Sequence, residues 1–427
     1  MNKETNFCNY RDLLSYIEAI KSGKTLLILG DYRMGKTRFC RMLNATHNDV
    51  YLISFKGYDV SFIPGMINPE CYTWTDLLEW ICQAGYKYLI VDDADCGKNT
   101  NDFWEALMKA SKESFPLKIV LLATTDTAPG ELKYSTKTLS LMSWRELSDH
   151  LDLTGKELKE FLCITGGYPE IMEEYELHCS FDNQLRNLLT PASAFWNLAP
   201  AIMELHFSSI ETYSTILYAM TQGKKALSTI AEFSGMKNNA CLEYLKKLVA
   251  KGIIRQKESQ NGHREYFIIN TYIYLWYAFI YTARLKSDFT VNEELISDFD
   301  TKLRKEVYRR FFRETALDYI SSRLYSFNIL KDELNQDVTI NKVNFDYVGY
   351  EKHLKRTVLL KCGLLTTRLL KKALRAKNDI PFHEKEYVFL FTNKSVPRGC
   401  WTLEKELDNV HIIQEKSLYR LREIPIE

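Results

Sequence analysis

The 427-residue sequence predicts an α/β fold that opens on a parallel sheet covered on both faces and continues into helical and then mixed units. Three observations carry this. Four short apolar runs, Thr25–Leu29, Val50–Ser54, residues 88–91 and Lys118–Ala123, alternate with helical stretches such as 38–43 and 102–111. Runs that are apolar throughout belong to strands buried on both faces, the signature of a parallel sheet. The strand signal fades after about Leu141, and from about Thr301 it returns mixed with helices.

Taken in order, residues 10–20 place Leu13, Leu14, Ile17 and Ile20 at helical spacing, and the four strand runs follow. Residues 144–172 read as helices around a break at Gly166-Gly167-Tyr168-Pro169. A mostly helical unit spans roughly 200–285, and a mixed unit with at least three strands completes the chain. Residues 266–283 carry no charge and are long enough to raise the question of a membrane span. Asn270, Thr271 and several tyrosines, together with strand character at the start, read instead as a strand running into a buried aromatic helix.

Composition narrows the function. Lys plus Arg (56) balance Asp plus Glu (55), so no global positive field exists and any nucleic-acid contact must come from a local patch. The 46% hydrophobic content is enough for sizeable cores. The ten cysteines are scattered without zinc-like spacing, as in a reduced intracellular protein, and no apolar signal core follows Met1. The expectation is a cytoplasmic protein with no membrane partner.

Residues 30–37 read Gly-Asp-Tyr-Arg-Met-Gly-Lys-Thr, the pattern G-x-x-x-x-G-K-[ST]. Gly30 and Gly35 let the loop turn tightly and bring amide groups to phosphate oxygens. Asp31, Tyr32, Arg33 and Met34 complete the cradle, and Arg38 follows it. Lys36 supplies a cation to the β- and γ-phosphates, and the Thr37 hydroxyl ligates Mg²⁺. A helix starting at about Lys36 points its positive end at the pyrophosphate. The run 88–91 ends in Asp92-Asp93, where Asp92 is the expected Mg²⁺ partner through water and Asp93 the expected base. Asp93 is one methylene shorter than the glutamate common at this place; the alternative is that Asp93 and Asp95 cap the next turn. Thr124 follows the run 118–123 and would sit beside the Asp92 strand, either sensing the γ-phosphate or merely beginning a loop. Arg33 and Arg145 are candidate arginine fingers or ordinary surface charges.

From Tyr213 three helical segments follow one another, and the segments at 253–257 and 264–269 flank Asn261-Gly262, a hairpin signal. Three helices and a hairpin define a winged helix. Lys237, Asn238, Asn239, Lys246 and Lys247 lie on its third helix, and Arg255, Lys257, His263 and Arg264 on its wing. These residues fit contact with DNA phosphates and adenine edges, or a module docked on protein with its charges solvated.

The tail from about Thr301 resembles a PD-(D/E)xK nuclease fold. A helix near 302–324 offers Glu314, a strand near 338–347 ends at Asp346, and strands at 357–362 and 387–392 follow. Lys361 is present, but Leu359 stands on the same strand face where a second carboxylate would be needed. One aspartate, with Glu314 at most beside it, is a poor Mg²⁺ site, so the expectation is a domain whose nuclease activity is lost or severely impaired.

The order of these segments resembles the archaeal-type P-loop ATPases of the AAA/STAND group. The matching residues are Gly30–Thr37, Asp92-Asp93, Gly166-Gly167-Tyr168-Pro169, Tyr244-Leu245, Leu248, Gly252-Ile253-Ile254 and the aromatic run from Tyr274 to Phe279. The resemblance implies a P-loop NTPase sheet over 1–142, a helical lid over 143–200, a winged helix over 201–285 and a nuclease-like α/β domain over 286–427. It also implies ATP, ADP and Mg²⁺ as ligands, and DNA, a protein partner or a second copy of the chain as partners. The leading expectation is a slow ATP-hydrolysing switch; the alternatives are a DNA-binding regulator with structural nucleotide and an ATP-gated nuclease.

Overall fold

Strands whose every residue is apolar can be covered only from both sides, and the chain folds accordingly. A computed structural model describes residues 17–18, 24–30, 33–112, 116–126, 128–139, 141–142, 144, 147, 151, 153–258, 264–286, 289–326, 334–340, 343–351, 356–376, 385–405, 407 and 410–415. Contacts divide the chain into two compact units, Met1–Ser143 with Gly167–Ser208, and Trp144–Gly166 with Ser209–Glu427.

In the first unit, β1 (Thr25–Leu29), β2 (Val50–Ser54), β3 (Tyr88–Asp92), β4 (Lys118–Ala123) and β5 (Tyr134–Thr138) form a sheet in the order β2-β3-β4-β1-β5. Every pair is parallel. Side chains alternate between faces. Leu27, Leu89, Val91, Ile119 and Leu121 pack with Trp74, Leu77, Ile81, Phe103 and Leu107 from the helices Trp74–Gln83 and Asn101–Lys112. Leu26, Ile28, Ile90, Val120 and Leu122 pack on the other face with Phe39, Cys40 and Leu43 of the helix Lys36–Thr46. Each fully buried Leu, Ile or Phe of these layers contributes about 1.5–3 kcal/mol.

The four expected strands form, and the third extends to Asp92. A fifth, β5, was not expected. Its sequence Tyr-Ser-Thr-Lys-Thr is polar because it lies at the sheet edge and is half exposed, so no apolar run announces it. Of the expected opening helix only Ile17 and Glu18 are described, and they are helical. The unit is completed by the helices Pro169–Glu174, Phe181–Leu188 and Ala194–His206.

In the second unit the helices Ile210–Thr221, Leu227–Phe233 and Asn238–Ala250 precede an antiparallel hairpin of β6 (Ile254–Glu258) and β7 (Arg264–Ile268). Asn261, Gly262 and His263, expected at the turn, lie outside the described residues. The uncharged stretch is, as expected, a strand followed by a buried helical segment, Thr271–Leu275, a wide π turn at Trp276–Ile280 and Tyr281–Ala283. Tyr277 is buried there, and its hydroxyl is 3.0 Å from Ser214 Oγ. Among the described residues no helix is long and apolar enough to cross a membrane.

The remainder forms a mixed sheet in the order β12-β11-β10-β9-β8, with β8 (Asn335–Ile340), β9 (Val343–Glu351), β10 (Arg356–Cys362), β11 (Lys385–Thr392) and β12 (Val410–Gln414). The helix Tyr308–Ser326 covers one face through Phe312, Ala316, Leu317 and Ile320. Helices Thr367–Ala376 and Arg398–Lys405 cover the other through Leu370, Ala373 and Cys400. One expectation is corrected: the single strand at 338–347 is two antiparallel strands, β8 and β9, so Asp346 lies inside β9 and not at a strand end. The alternation changes phase between Val338, Ile340 and Val343, Phe345, Tyr347, with the polar pair Asn341-Lys342 between them, a sequence signal of the reversal that sequence reasoning passed over.

The nine described cysteines are free thiols, six of them buried as expected and Cys96 exposed.

Candidate functional site

The C-terminal edge of the parallel sheet gathers the expected residues. β1 ends at Leu29, and Gly30 follows with its amide donating to the Ala123 carbonyl at 3.1 Å. A Cβ at Gly30 would lie 3.1 Å from the Leu139 side chain, which would have to shift by a few tenths of an ångström. Gly35 has φ 83° and caps the helix Lys36–Thr46. A left-handed backbone there costs an ordinary side chain about 1–2 kcal/mol. Arg33 also adopts a left-handed conformation, at φ 61°. Asp31 and Tyr32 lie outside the described residues.

Lys36 is buried, and its ammonium donates back to the Gly30 carbonyl and toward Thr124 Oγ1 at 3.4 Å. Thr37 is exposed at the first turn of the helix, where amides without intrahelical partners favour an anion. β4 lies between β1 and β3, so Thr124 at its end stands between the loop and the two acids.

Asp92 is buried, and its Oδ1 accepts the Asp93 amide at 3.1 Å. Asp93 has φ 51°, a conformation uncommon for aspartate, which turns the chain sharply after β3. Burial holds the Asp93 carboxyl above the ordinary carboxylate range, the Asp92 charge adds to that, and Lys56 and Lys36 oppose it. A raised carboxyl is a better proton acceptor than an ordinary one.

Sequence reasoning missed three things here. Asp95 does not merely close its own turn: its Oδ2 accepts from the amides of Thr124 (2.9 Å) and Thr125 (2.8 Å) and from Thr125 Oγ1 (3.0 Å). It thereby ties the end of β4 to the loop after β3. Lys56, just beyond β2, lines the cleft facing Asp93. Finally, the helix Pro169–Glu174 brings Glu170 and Glu173 to the phosphate loop. Arg33 Nη1 is 3.0 Å from Glu170 Oε1, and Arg38 pairs with Glu173. Glu170 Oε2 is buried without a hydrogen-bond partner. Only the Gly166–Pro169 break hinted at this helix, and nothing in sequence spacing could set it opposite the loop. Arg145 lies outside the described residues.

Together these groups line a cleft of about 590 Å³ that includes Arg33–Arg38, Arg41, Lys56, Asp93 and Thr124 on one side and Pro169, Glu170 and Glu173 on the other. That is within the ordinary size of a small-ligand pocket. Both cations and carboxylates line it.

In the second unit Lys237, Asn238, Asn239, Lys246, Lys247 and Arg264 are exposed. Lys246 pairs with Glu243 at 2.7 Å. Arg255 and Lys257, expected on the outer wing, are only half exposed; Arg255 Nη2 is 3.5 Å from Glu314 Oε1. They share a strand face, and that face is turned inward. Asp346 is buried with Oδ1 2.9 Å from Arg313 Nε and Oδ2 accepting the Cys362 amide at 2.6 Å. Leu359 is buried in apolar surroundings with Phe345, Val348 and Leu370. Among the described residues no three His, Cys, Asp or Glu side chains cluster as a metal site would require.

No protein-family profile matches the sequence, and a search of curated proteins finds no match. Solved structures show weak likenesses. One is a DNA replication initiation factor, 10% identical, with 57% of this chain and 86% of that one covered at a TM-score of 0.28. Domain III of the Thermotoga maritima replication initiation protein DnaA is 13% identical, with coverage of 56% and 90% and a TM-score of 0.27. Drosophila ORC bound to AT-rich DNA and Cdc6 is 11% identical, with coverage of 65% and 92% and a TM-score of 0.24. At these scores the likenesses carry no argument, and the functional case rests on the site.

Proposed function

We propose that this chain binds ATP with Mg²⁺ and hydrolyses it slowly, acting as a nucleotide-controlled switch. The observation that carries the reading is the cradle Gly30–Gly35–Lys36, set at the C-terminal edge of a parallel sheet one strand away from Asp92 and Asp93. The residues fit the ligand: a left-handed Gly35, a buried lysine and a helix start line one cleft, next to a Gly30 with little room for a side chain. Amides from Gly30 to Thr37 and the Lys36 ammonium bind phosphate oxygens, while Arg33 and Arg38 flank them. Thr37 and Asp92 would hold Mg²⁺, which when bound neutralises phosphate charge. Asp93 accepts the proton of the attacking water, and Thr124 Oγ1 accepts from the Lys36 ammonium. The short Asp93 side chain, on a left-handed backbone, is the reason for slow turnover.

In this reading the helices beyond Gly167 act as the lid, and the three-helix-and-hairpin module is a winged helix that responds to nucleotide state. The last sheet is a nuclease-like scaffold whose aspartate is already paired to Arg313. The chain works in the cytoplasm with a protein partner or a second copy. Lys36→Ala tests this by isothermal calorimetry with ATP and ADP: loss of binding is expected, and unchanged affinity in a folded variant overturns it. A second reading, a DNA-binding regulator, draws on the exposed Lys237, Asn238, Asn239, Lys246, Lys247 and Arg264. It requires a salt-dependent gel shift that Lys237→Gln with Arg264→Gln abolishes.

A further inference from the structure

Residues 361–377 carry six Lys or Arg and no Asp or Glu, in a chain whose formal net charge is only +1. The fold sets this stretch beside a second cationic segment. β10, β11 and β12 are parallel and adjacent, so the helices Thr367–Ala376 and Arg398–Lys405 that join them are crossovers of one hand. Both therefore cover the same face of the sheet and run side by side. Their first turns meet: Thr367 Oγ1 is 3.7 Å from Cys400 Sγ, and a Cβ on Gly399 would lie 3.3 Å from Thr367 Oγ1.

Each helix turns apolar residues to the sheet and cations outward. On the first, Leu370 and Ala373 are buried, while Arg368, Lys371 and Lys372, at i, i+3 and i+4, are exposed. On the second, Cys400 is buried and Glu404 is turned inward, its Oε1 accepting the Ile412 amide at 2.6 Å. Arg398, Trp401 and Lys405, at i, i+3 and i+7, are exposed. Among the described residues no carboxylate pairs with any of these five cations. A face that is merely solvated gains from alternating signs, because Glu four residues before Lys stabilises a helix and like charges at that spacing destabilise it. Here Arg368 and Lys372 stand at that spacing, and an anionic chain laid along the face would relieve their repulsion. Trp401 is 36% exposed on the stripe between Arg398 and Lys405, and an aromatic ring among cations suits a base while its neighbours hold the phosphates. An anionic membrane fits less well, because the apolar stripe that would enter it is packed in the core with Phe345, Val348 and Val388. We propose that the outer faces of these two helices bind single-stranded nucleic acid, with Arg368, Lys371, Lys372 and Arg398 on the phosphates and Trp401 stacked on a base. The proposal uses neither the nucleotide cleft nor the residues of the DNA-binding reading above.

The experiment measures anisotropy of a labelled oligothymidine on the full chain over a range of salt, beside a duplex of equal length, phosphatidylserine vesicles and polyglutamate. The single strand should bind most tightly of the four. Lys371→Gln with Lys372→Gln should weaken it by about tenfold or more at 0.1 M salt and lower the salt slope by roughly 1.4, two phosphate contacts at about 0.7 each. Trp401→Ala should weaken it by about fivefold to a hundredfold with the salt slope unchanged, and Trp401→Phe should keep most of the binding. Lys286→Gln with Lys305→Gln removes the same charge from exposed positions elsewhere and should change affinity by less than about twofold. Should Trp401→Ala fail to fold by circular dichroism, the exposed Lys371–Lys372 pair and its salt slope decide alone. The proposal is overturned if the wild-type chain does not bind the strand, or binds the duplex, vesicles or polyglutamate more tightly. It is equally overturned if the Lys371–Lys372 variant or a folded Trp401→Ala binds as the wild type does, or if the Lys286–Lys305 variant loses as much. Binding kept in the Lys371–Lys372 variant but lost in Lys237→Gln with Arg264→Gln would assign the strand to the three-helix-and-hairpin module instead.

Discussion

The two carboxylates facing the phosphate loop compete with the ligand that the loop is built to hold. Arg33 is paired with Glu170 at 3.0 Å, and Arg38 with Glu173, across the 590 Å³ cleft. If phosphates are to engage both arginines, both pairs must yield. Each pair is partly exposed, with side chains 35–47% accessible, so each is worth only about 0.2–1 kcal/mol. Removing both acids with Glu170→Gln and Glu173→Gln therefore returns roughly 0.4–2 kcal/mol to phosphate binding, or about twofold to thirtyfold in affinity at ~1.4 kcal/mol per tenfold. The gain should be larger for ATP than for ADP, because the additional charge feels the lost carboxylates. It should shrink in high salt, where the Debye length falls to about 3 Å at 1 M. Calorimetric titration of both nucleotides with Mg²⁺, at low and high salt, measures all three features. A folded double variant whose affinity is unchanged or weaker would refute the competition. It would mean that the two acids position the arginines and do not withhold them.

Other expectations follow from the same edge of the sheet. Asp93→Asn should be more stable than the wild type at neutral pH. The folded Asp93 carboxyl lies above its ordinary 3.8, so the native state loses stability as pH rises through that value, and the two proteins should converge in urea melts below it. Asparagine tolerates the left-handed backbone, so the change adds no strain. Asp95→Ala frees three donors and should cost about 2 kcal/mol by urea denaturation, with weaker nucleotide binding as Thr124 loses its anchor; an unaltered midpoint would contradict the tie between β3 and β4. Gly167→Ala places a Cβ 2.8 Å from the Met142 carbonyl oxygen at φ +79°. It should lower stability by about 2–3 kcal/mol in thermal or urea unfolding.

What sequence could and could not reveal follows from how local each feature is. The loop from Gly30 to Thr37 is legible because steric room, backbone sign and charge are each fixed by a neighbouring residue. β1 to β4 are legible because burial on both faces removes every polar residue from their middles. β5 escaped because an edge strand keeps its polar residues, whereas the reversal between β8 and β9 was legible in the polar pair Asn341-Lys342 and the shift of the alternation across it, and was overlooked. Glu170 and Glu173 face the loop from a helix more than a hundred residues away. Period-two spacing puts Arg255 and Lys257 on one face of β6 but leaves open which face turns inward; Glu314 and Arg313 decide that.

The chain passes between its two units after Ser143, Gly166 and Ser208. This has a consequence during synthesis. The helix Gly155–Thr165 is made early, yet its partners come later: Asn270 Nδ2 donates to the Gly166 carbonyl at 2.8 Å, and Tyr308 approaches Glu160. At about 5–20 residues per second the ribosome takes roughly ten to thirty seconds to deliver the helix Tyr308–Ser326 after Gly166. Until then Leu158, Phe161, Leu162 and Ile164, buried in the folded chain, have only the part of their cover that the helix Thr271–Leu275 brings. The first unit can close at Ser208 while a strip of the second waits inside its sequence, so neither is a cassette that evolution or a truncation can lift out whole. A nascent chain stalled near residue 208 is the species that a holdase chaperone would have to shield.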